Sequence, residues 1–173
     1  IEHMILEGTT SRSDALTISS GIETLGGDLN AYTDNFRTCF YVKIPAKHFE
    51  KGVDILSDMI INPLFSEKTL EKERQVILKE INIFNDESRY NQWILFEQNL
   101  FTNHPARYPV YGTREDVAGM SREDLLSYYK KYYCGRNIIL SIVGNVSNAR
   151  QVINSYFSSL PCGKRYSKHF SSS

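Results

Sequence analysis

Two glutamates, Glu73 and Glu80, stand seven residues apart in a stretch whose apolar positions fix its shape. Val76, Ile77, Ile81 and Phe84 recur at helical spacing, and the pattern predicts one long helix over residues 66–86. Glu67 lies near the positive N-terminal end of that helix. Seven residues make nearly two turns at about 3.6 residues per turn, so both carboxylates share the face of the apolar stripe. Carboxylates on such a stripe are costly to bury unless they are paired or bind a metal. Read alone, the pair fits a solvated stripe edge better than a site, because Glu is usually exposed.

The rest of the chain frames that helix. Residues 1–8 have the pattern of a helix end stopped by Gly8. A second helix is predicted over 13–25, capped by Ser13 and ended by Gly26-Gly27. Residues 29–33 and 38–44 read as two strands, the second rich in β-branched and aromatic residues and ended by Pro45, with Asp34-Asn35 as the turn between them. Phe49, Val53, Leu56 and Ile60 predict a helix over 47–61, broken by Asn62-Pro63. Further helices are expected over 91–101, from Ser121 to about Tyr133, and over 149–157. Ser121 and Asp124 suggest a capping box. The nearly continuous apolar run 137–143 is expected as a buried strand. Helices dominate, and the strands are too few for regular βαβ alternation, so the class is α+β. Residues 1–163 are expected to form one domain, followed by a polar tail over 164–173 that frays.

Composition excludes some functions. Twenty basic and twenty acidic residues give a formal net charge of zero, with no global pull toward nucleic acid. No apolar run approaches the roughly 20 residues of a membrane-spanning helix. Cys39, Cys134 and Cys162 form no C-x-x-C pair, which favours a reducing compartment over a disulfide framework.

The first residues reweight the two glutamates. Glu2-His3 precedes Met4, Ile5 and Leu6. A carboxylate beside a histidine, with two more carboxylates on one helix face, is the inventory of a catalytic zinc site. Such a site needs three protein ligands, an open position for water and a base beside it. The other candidates have plainer explanations. His48 and His169 are expected at the surface, and His104 in a loop. Trp93 and Phe96 are expected in the core, and the tyrosines between Tyr128 and Tyr133 are expected to pack rather than form a ligand platform. No G-x-S-x-G elbow supports a serine nucleophile.

In order, the chain carries E-H, G-T, G-G-x-x-N-A-x-T over residues 26–33, and E-x6-E ending at Glu80. Residues 110–113, 121–125 and 128–146 continue the pattern. Together they resemble the pitrilysin/insulinase zinc metallopeptidases, whose signature is the inverted H-x-x-E-H motif. The likeness covers essentially the whole chain. It implies a half-domain with a mixed, largely antiparallel sheet and helices packed on one face. By position, His3 and Glu80 would ligate Zn2+, Glu2 would be the general base, and Glu73 would be an acid that orients the site. Asn30, Ala31 and Thr33 would lie on a substrate-binding edge strand.

The family's first histidine would fall two positions before Ile1, outside this sequence. Residues 1–173 alone are therefore expected to bind zinc weakly or not at all, and to be inactive. The implied reaction is hydrolysis of unfolded peptides or presequences. The implied partner is a second, C-terminal half-domain or a partner subunit, giving a homo- or heterodimer. The implied location is the bacterial cytoplasm or the mitochondrial matrix, with no secretory signal visible. The alternative functions are a non-catalytic scaffold of the same family and a peptide-binding subunit.

Overall fold

The computed structural model describes residues 1–166. The elements run α1 (Glu2–Leu6), α2 (Ala15–Glu23), β1 (Asp28–Thr33), β2 (Thr38–Lys43), α3 (Phe49–Ile61) and α4 (Glu67–Asp86). After these come α5 (Ser88–Leu100), α6 (Arg114–Gly119), α7 (Arg122–Tyr132) and α8 (Ala149–Phe157). Short 3-10 turns cover Ala46–His48, Pro105–Arg107 and Gly135–Asn137. The class is α+β, as expected.

Among the described residues, the sheet is one antiparallel pair, β1 with β2, in register from Asp28↔Lys43 to Thr33↔Thr38. The chain enters it through Gly26-Gly27. Gly26 has φ 76°, and a Cβ on Gly27 would meet the Lys43 carbonyl oxygen at 2.7 Å. The first position needs the left-handed region and the second needs the close approach. The core lies between this hairpin and the helices. Ile5 of α1, Ile18 and Ile22 of α2, Ile55 and Met59 of α3, and Phe65 are fully buried, and Phe40 and Val42 of β2 pack against them.

Loops are tied to that core. Phe65, at φ 42°, packs its ring at a tilt against Tyr129 with centroids 5.3 Å apart, while its carbonyl accepts from Arg122 Nε at 2.6 Å. Tyr129 also donates to the last-turn carbonyl of Ile60 at 2.7 Å. Beneath the loop after α1, Thr9 donates to Asp58 Oδ2 at 2.6 Å. Arg12 bridges Asp58 and Asp54. Burial pushes the Asp58 carboxyl up, but hydrogen bonds from Thr9, Asn62 and Arg12, with the guanidinium charge, hold it below the usual carboxylate range.

Several expectations are corrected. Run 137–143 is neither strand nor buried: Ile139 is 95% exposed and Val143 98%. A strand needs a neighbour to pair with, and among the described residues this run has none. Trp93 and Phe96 do not enter the core. They pack on each other, centroids 5.6 Å apart, and stay exposed on α5, which has no buried residue. Helix α2 is capped by Asp14, whose side chain accepts from the Thr17 amide, and not by Ser13. Helix α6, capped by Thr113, adds a turn of helix between the 103–113 loop and the helix opened by Ser121. The capping box at Ser121 and Asp124 is formed. In the expected tail, the Lys164 carbonyl accepts from the Cys134 thiol at 3.5 Å and Tyr166 packs on Tyr132. Residues 167–173, with His169, lie outside the described residues.

Candidate metal and peptide site

Helix α1 has only five residues and takes its position from Met4 and Ile5, both buried. That anchoring turns Glu2 and His3 toward α4 and the hairpin. Helix α4 starts at Ser66, whose hydroxyl accepts from the Thr69 amide at 3.1 Å. Leu70 and Ile81 bury its inner face, and Glu73 and Glu80 lie on the side facing α1.

The two glutamates have different surroundings. The Glu73 side chain is 7% exposed and accepts from His3 Nδ1 at 2.8 Å. The carboxylate can only accept, so the ring nitrogen donates. In the neutral imidazole, the form that binds a metal, the lone pair then sits on the other nitrogen, Nε2. Nε2 lies 3.9 Å from Glu80 Oε2, whose side chain is 41% exposed. This separation is too long for a hydrogen bond. Two ligands on one tetrahedral zinc lie about 3.3 Å apart, so a small side-chain movement would let both reach the same ion. A carboxylate fixing the tautomer of a metal-binding imidazole is a recurrent arrangement at zinc. The fit is partial: among the described residues, no group of three His, Cys, Asp or Glu side chains could hold a metal ion.

Behind Glu73, Lys72 Nζ lies 3.4 Å from its Oε1 and 2.7 Å from Glu7 Oε2. Nothing in the sequence flags Lys72 or Glu7, because lysines and glutamates are common on helix surfaces.

In front, Glu2 Oε2 accepts from the Thr33 hydroxyl at the end of β1. Asn30 and Ala31 follow along the same strand. The Asp34 amide donates to the Arg37 carbonyl at 2.9 Å, so 34 and 37 form a hydrogen-bonded pair. Antiparallel pairs alternate, so the backbone groups of Leu29, Ala31 and Thr33 point away from β2 toward the open edge. Consistently, the Ala31 amide donates at 2.8 Å to the side-chain oxygen of its neighbour Asn30. The structure thus pairs His3 with Glu73, brings Glu80 to 3.9 Å from the same ring, pairs Glu2 with Thr33, and carries Asn30 and Ala31 along the strand of Thr33. His104 instead accepts from the Ala106 amide at 3.1 Å in its own loop.

Comparison with known proteins decides the family. Residues 1–114 match the family described as Insulinase (Peptidase family M16). The chain belongs to this family of peptidases. Residues 119–172 match the description Peptidase M16 inactive domain. An uncharacterized zinc protease of Rickettsia felis is 33% identical over 167 residues, covering 95% of this chain and 40% of that protein. The uncharacterized zinc protease YmxG of Bacillus subtilis is 32% identical over 149 residues, covering 86% of this chain and 36% of that protein. The chain thus spans about two fifths or less of these relatives. A solved protease from Helicobacter pylori superimposes with TM-score 0.88 at 20% identity, covering 96% of this chain and 41% of that one. Pitrilysin superimposes with TM-score 0.80 at 23% identity, covering 98% and 19%. At those identities the structural matches speak for the fold. Among the described residues, no helix is long and apolar enough to cross a membrane.

Proposed function

We propose that this chain is the zinc-carrying half-domain of a metalloendopeptidase that hydrolyses unfolded peptides or presequences. The observation that carries this reading is the ring of His3, with one nitrogen tied to buried Glu73 and the other facing Glu80. His3 and Glu80 would hold the zinc, joined by the family's upstream histidine. Zinc, when bound, supplies a Lewis acid for the attacking water and the scissile carbonyl. Glu2 takes the proton from that water and returns it to the leaving amine. Glu73 keeps the imidazole in the tautomer and orientation that point Nε2 at the metal position.

Asn30, Ala31 and Thr33 would bind the substrate backbone. Their strand has one edge unpaired among the described residues, and an extended peptide can add there as a further strand. Backbone pairing reads no side chains, so specificity would be broad. The second half-domain, in the same chain or in a partner subunit, would close over that edge and make the active unit a pair of halves. We assign the half-domain to residues 1–163 and the protein to the bacterial cytoplasm or the mitochondrial matrix; the bacterial sources of the relatives support the bacterial alternative.

Full-length protein should bind about one zinc per site and hydrolyse an unfolded fluorogenic peptide. Residues 1–173 alone should bind zinc weakly, because affinity depends on ligand number. Full-length protein that neither takes up zinc nor cleaves peptide would favour the scaffold function.

A further inference from the structure

We infer that the Thr33 side chain is a positioning residue for Glu2, coupling the substrate-binding edge strand to the general base. This rests on the peptidase reading above and deepens it. Thr33 is the last residue of β1, and its backbone groups face the open edge. Its hydroxyl, in contrast, leaves the strand plane and donates to Glu2 Oε2. One residue therefore serves two neighbours: main chain toward a bound peptide, side chain toward the base.

The local chemistry makes the orientation specific. Thr33 Oγ1 also lies 3.2 Å from Thr38 Oγ1, its cross-strand partner. A hydroxyl has one proton and two acceptor lone pairs. The Thr33 hydroxyl thus stands between two acceptors, the Glu2 carboxylate and the Thr38 oxygen, and the charged carboxylate is the stronger of the two. A β-branched residue in a strand also has few χ1 choices, so its Oγ is a rigid support. Thr38 also hydrogen-bonds the half-buried Tyr133, which packs against the core. Glu2 itself sits at the first position of a five-residue helix, where few intrahelical contacts restrain it. Without Thr33, that carboxylate would sample several rotamers, and only some would face the attacking water.

The expected consequence is a loss in turnover and not in substrate binding. In full-length zinc-loaded protein, Thr33→Val should lower kcat on the order of ten- to a hundredfold, the scale of a misplaced catalytic group, with KM unchanged. Thr33→Ser, which restores the hydroxyl, should recover most of the activity. A second readout needs no activity: a labelled peptide should bind zinc-free Thr33→Val with wild-type affinity by fluorescence anisotropy, whereas Ala31→Pro should weaken it. A raised KM with unchanged kcat, or lost peptide affinity in Thr33→Val, would show that the hydroxyl touches substrate and would overturn the proposal. A third measurement stands apart from the peptidase reading. Thermal shifts of Thr33→Val and Glu2→Gln in zinc-free protein should be non-additive, as expected for groups in contact. Additive shifts would overturn the contact whether or not the protein cleaves anything.

Discussion

Helix α4 and the run 138–143 both carry repeated apolar residues, yet they finish in opposite environments. Helix α4 has α1 on one side and α5 and α6 on others, and it buries Leu70, Ile81 and even the carboxylate of Glu73. The run 138–143 is richer in Ile, Leu and Val, yet Ile139 and Val143 are almost fully exposed. Only Ile138, at its start, packs against the core. Burial follows the availability of a partner surface more closely than it follows hydrophobicity. A helix satisfies its own backbone and needs only packing, whereas an extended segment needs a paired neighbour as well.

The comparison can be broken most severely at the site that α4 shares with α1. In full-length protein, Glu2→Gln should retain zinc and lose on the order of 10²- to 10⁴-fold in kcat, because it removes a base and not a ligand. Glu80→Gln should lose the metal itself, and Glu73→Gln should fall between, since it only frees the imidazole. Metal analysis beside steady-state kinetics separates the three. Equal zinc retention in the Glu80 and Glu2 variants would mean that Glu80 is not a ligand.

A smaller effect tests the packed side directly. Ile55, fully buried in α3, should cost about 2–5 kcal/mol when cut to Ala, read by chemical denaturation. A loss under 1 kcal/mol would mean that this core is loosely packed.

The buried Asp58 network should contribute less and depend on pH. Its folded-state carboxyl is held below the ordinary range, so the unfolded chain binds the proton more readily. Stability from this group is complete above the unfolded pKa of about 4 and is lost as pH falls through the lower folded value. Asp58→Asn should destabilise by about 1–3 kcal/mol at neutral pH, with the deficit shrinking in acid. A deficit that is constant from pH 7 to pH 3 would contradict that account.

The smallest effect sharpens the contrast. Val143→Ser in residues 1–173 should change stability by no more than about 0.5 kcal/mol, as for an exposed surface position. A loss comparable to Ile55→Ala would show that the run is covered in solution.

Local features were legible from the residues alone. The extent of α4, the hairpin turn at Asp34, the break at Asn62-Pro63, the capping box at Ser121 and the limits of α8 all rest on side chains acting within a few positions. The seven-residue spacing of Glu73 and Glu80 likewise placed both on one helix face. What spacing could not supply was their unequal burial. That depends on His3, seventy residues from Glu73, and on Lys72 reaching Glu7 across α1. The same holds for Thr33 and Glu2, which meet only because the hairpin folds beside α1.

The misplaced expectations have the same cause. Trp93, Phe96 and the run 138–143 have the composition of a core, but composition does not say whether another element will arrive to cover it. Periodicity, caps and turns are set by interactions a few residues long, so the sequence by itself determined most of the helices, the hairpin and the family's residue pattern. Which carboxylate is buried, which imidazole nitrogen is free and which strand edge stays open depend on contacts between distant segments. Only the tertiary structure decided those, because desolvation and hydrogen-bond pairing are properties of surfaces brought together by folding.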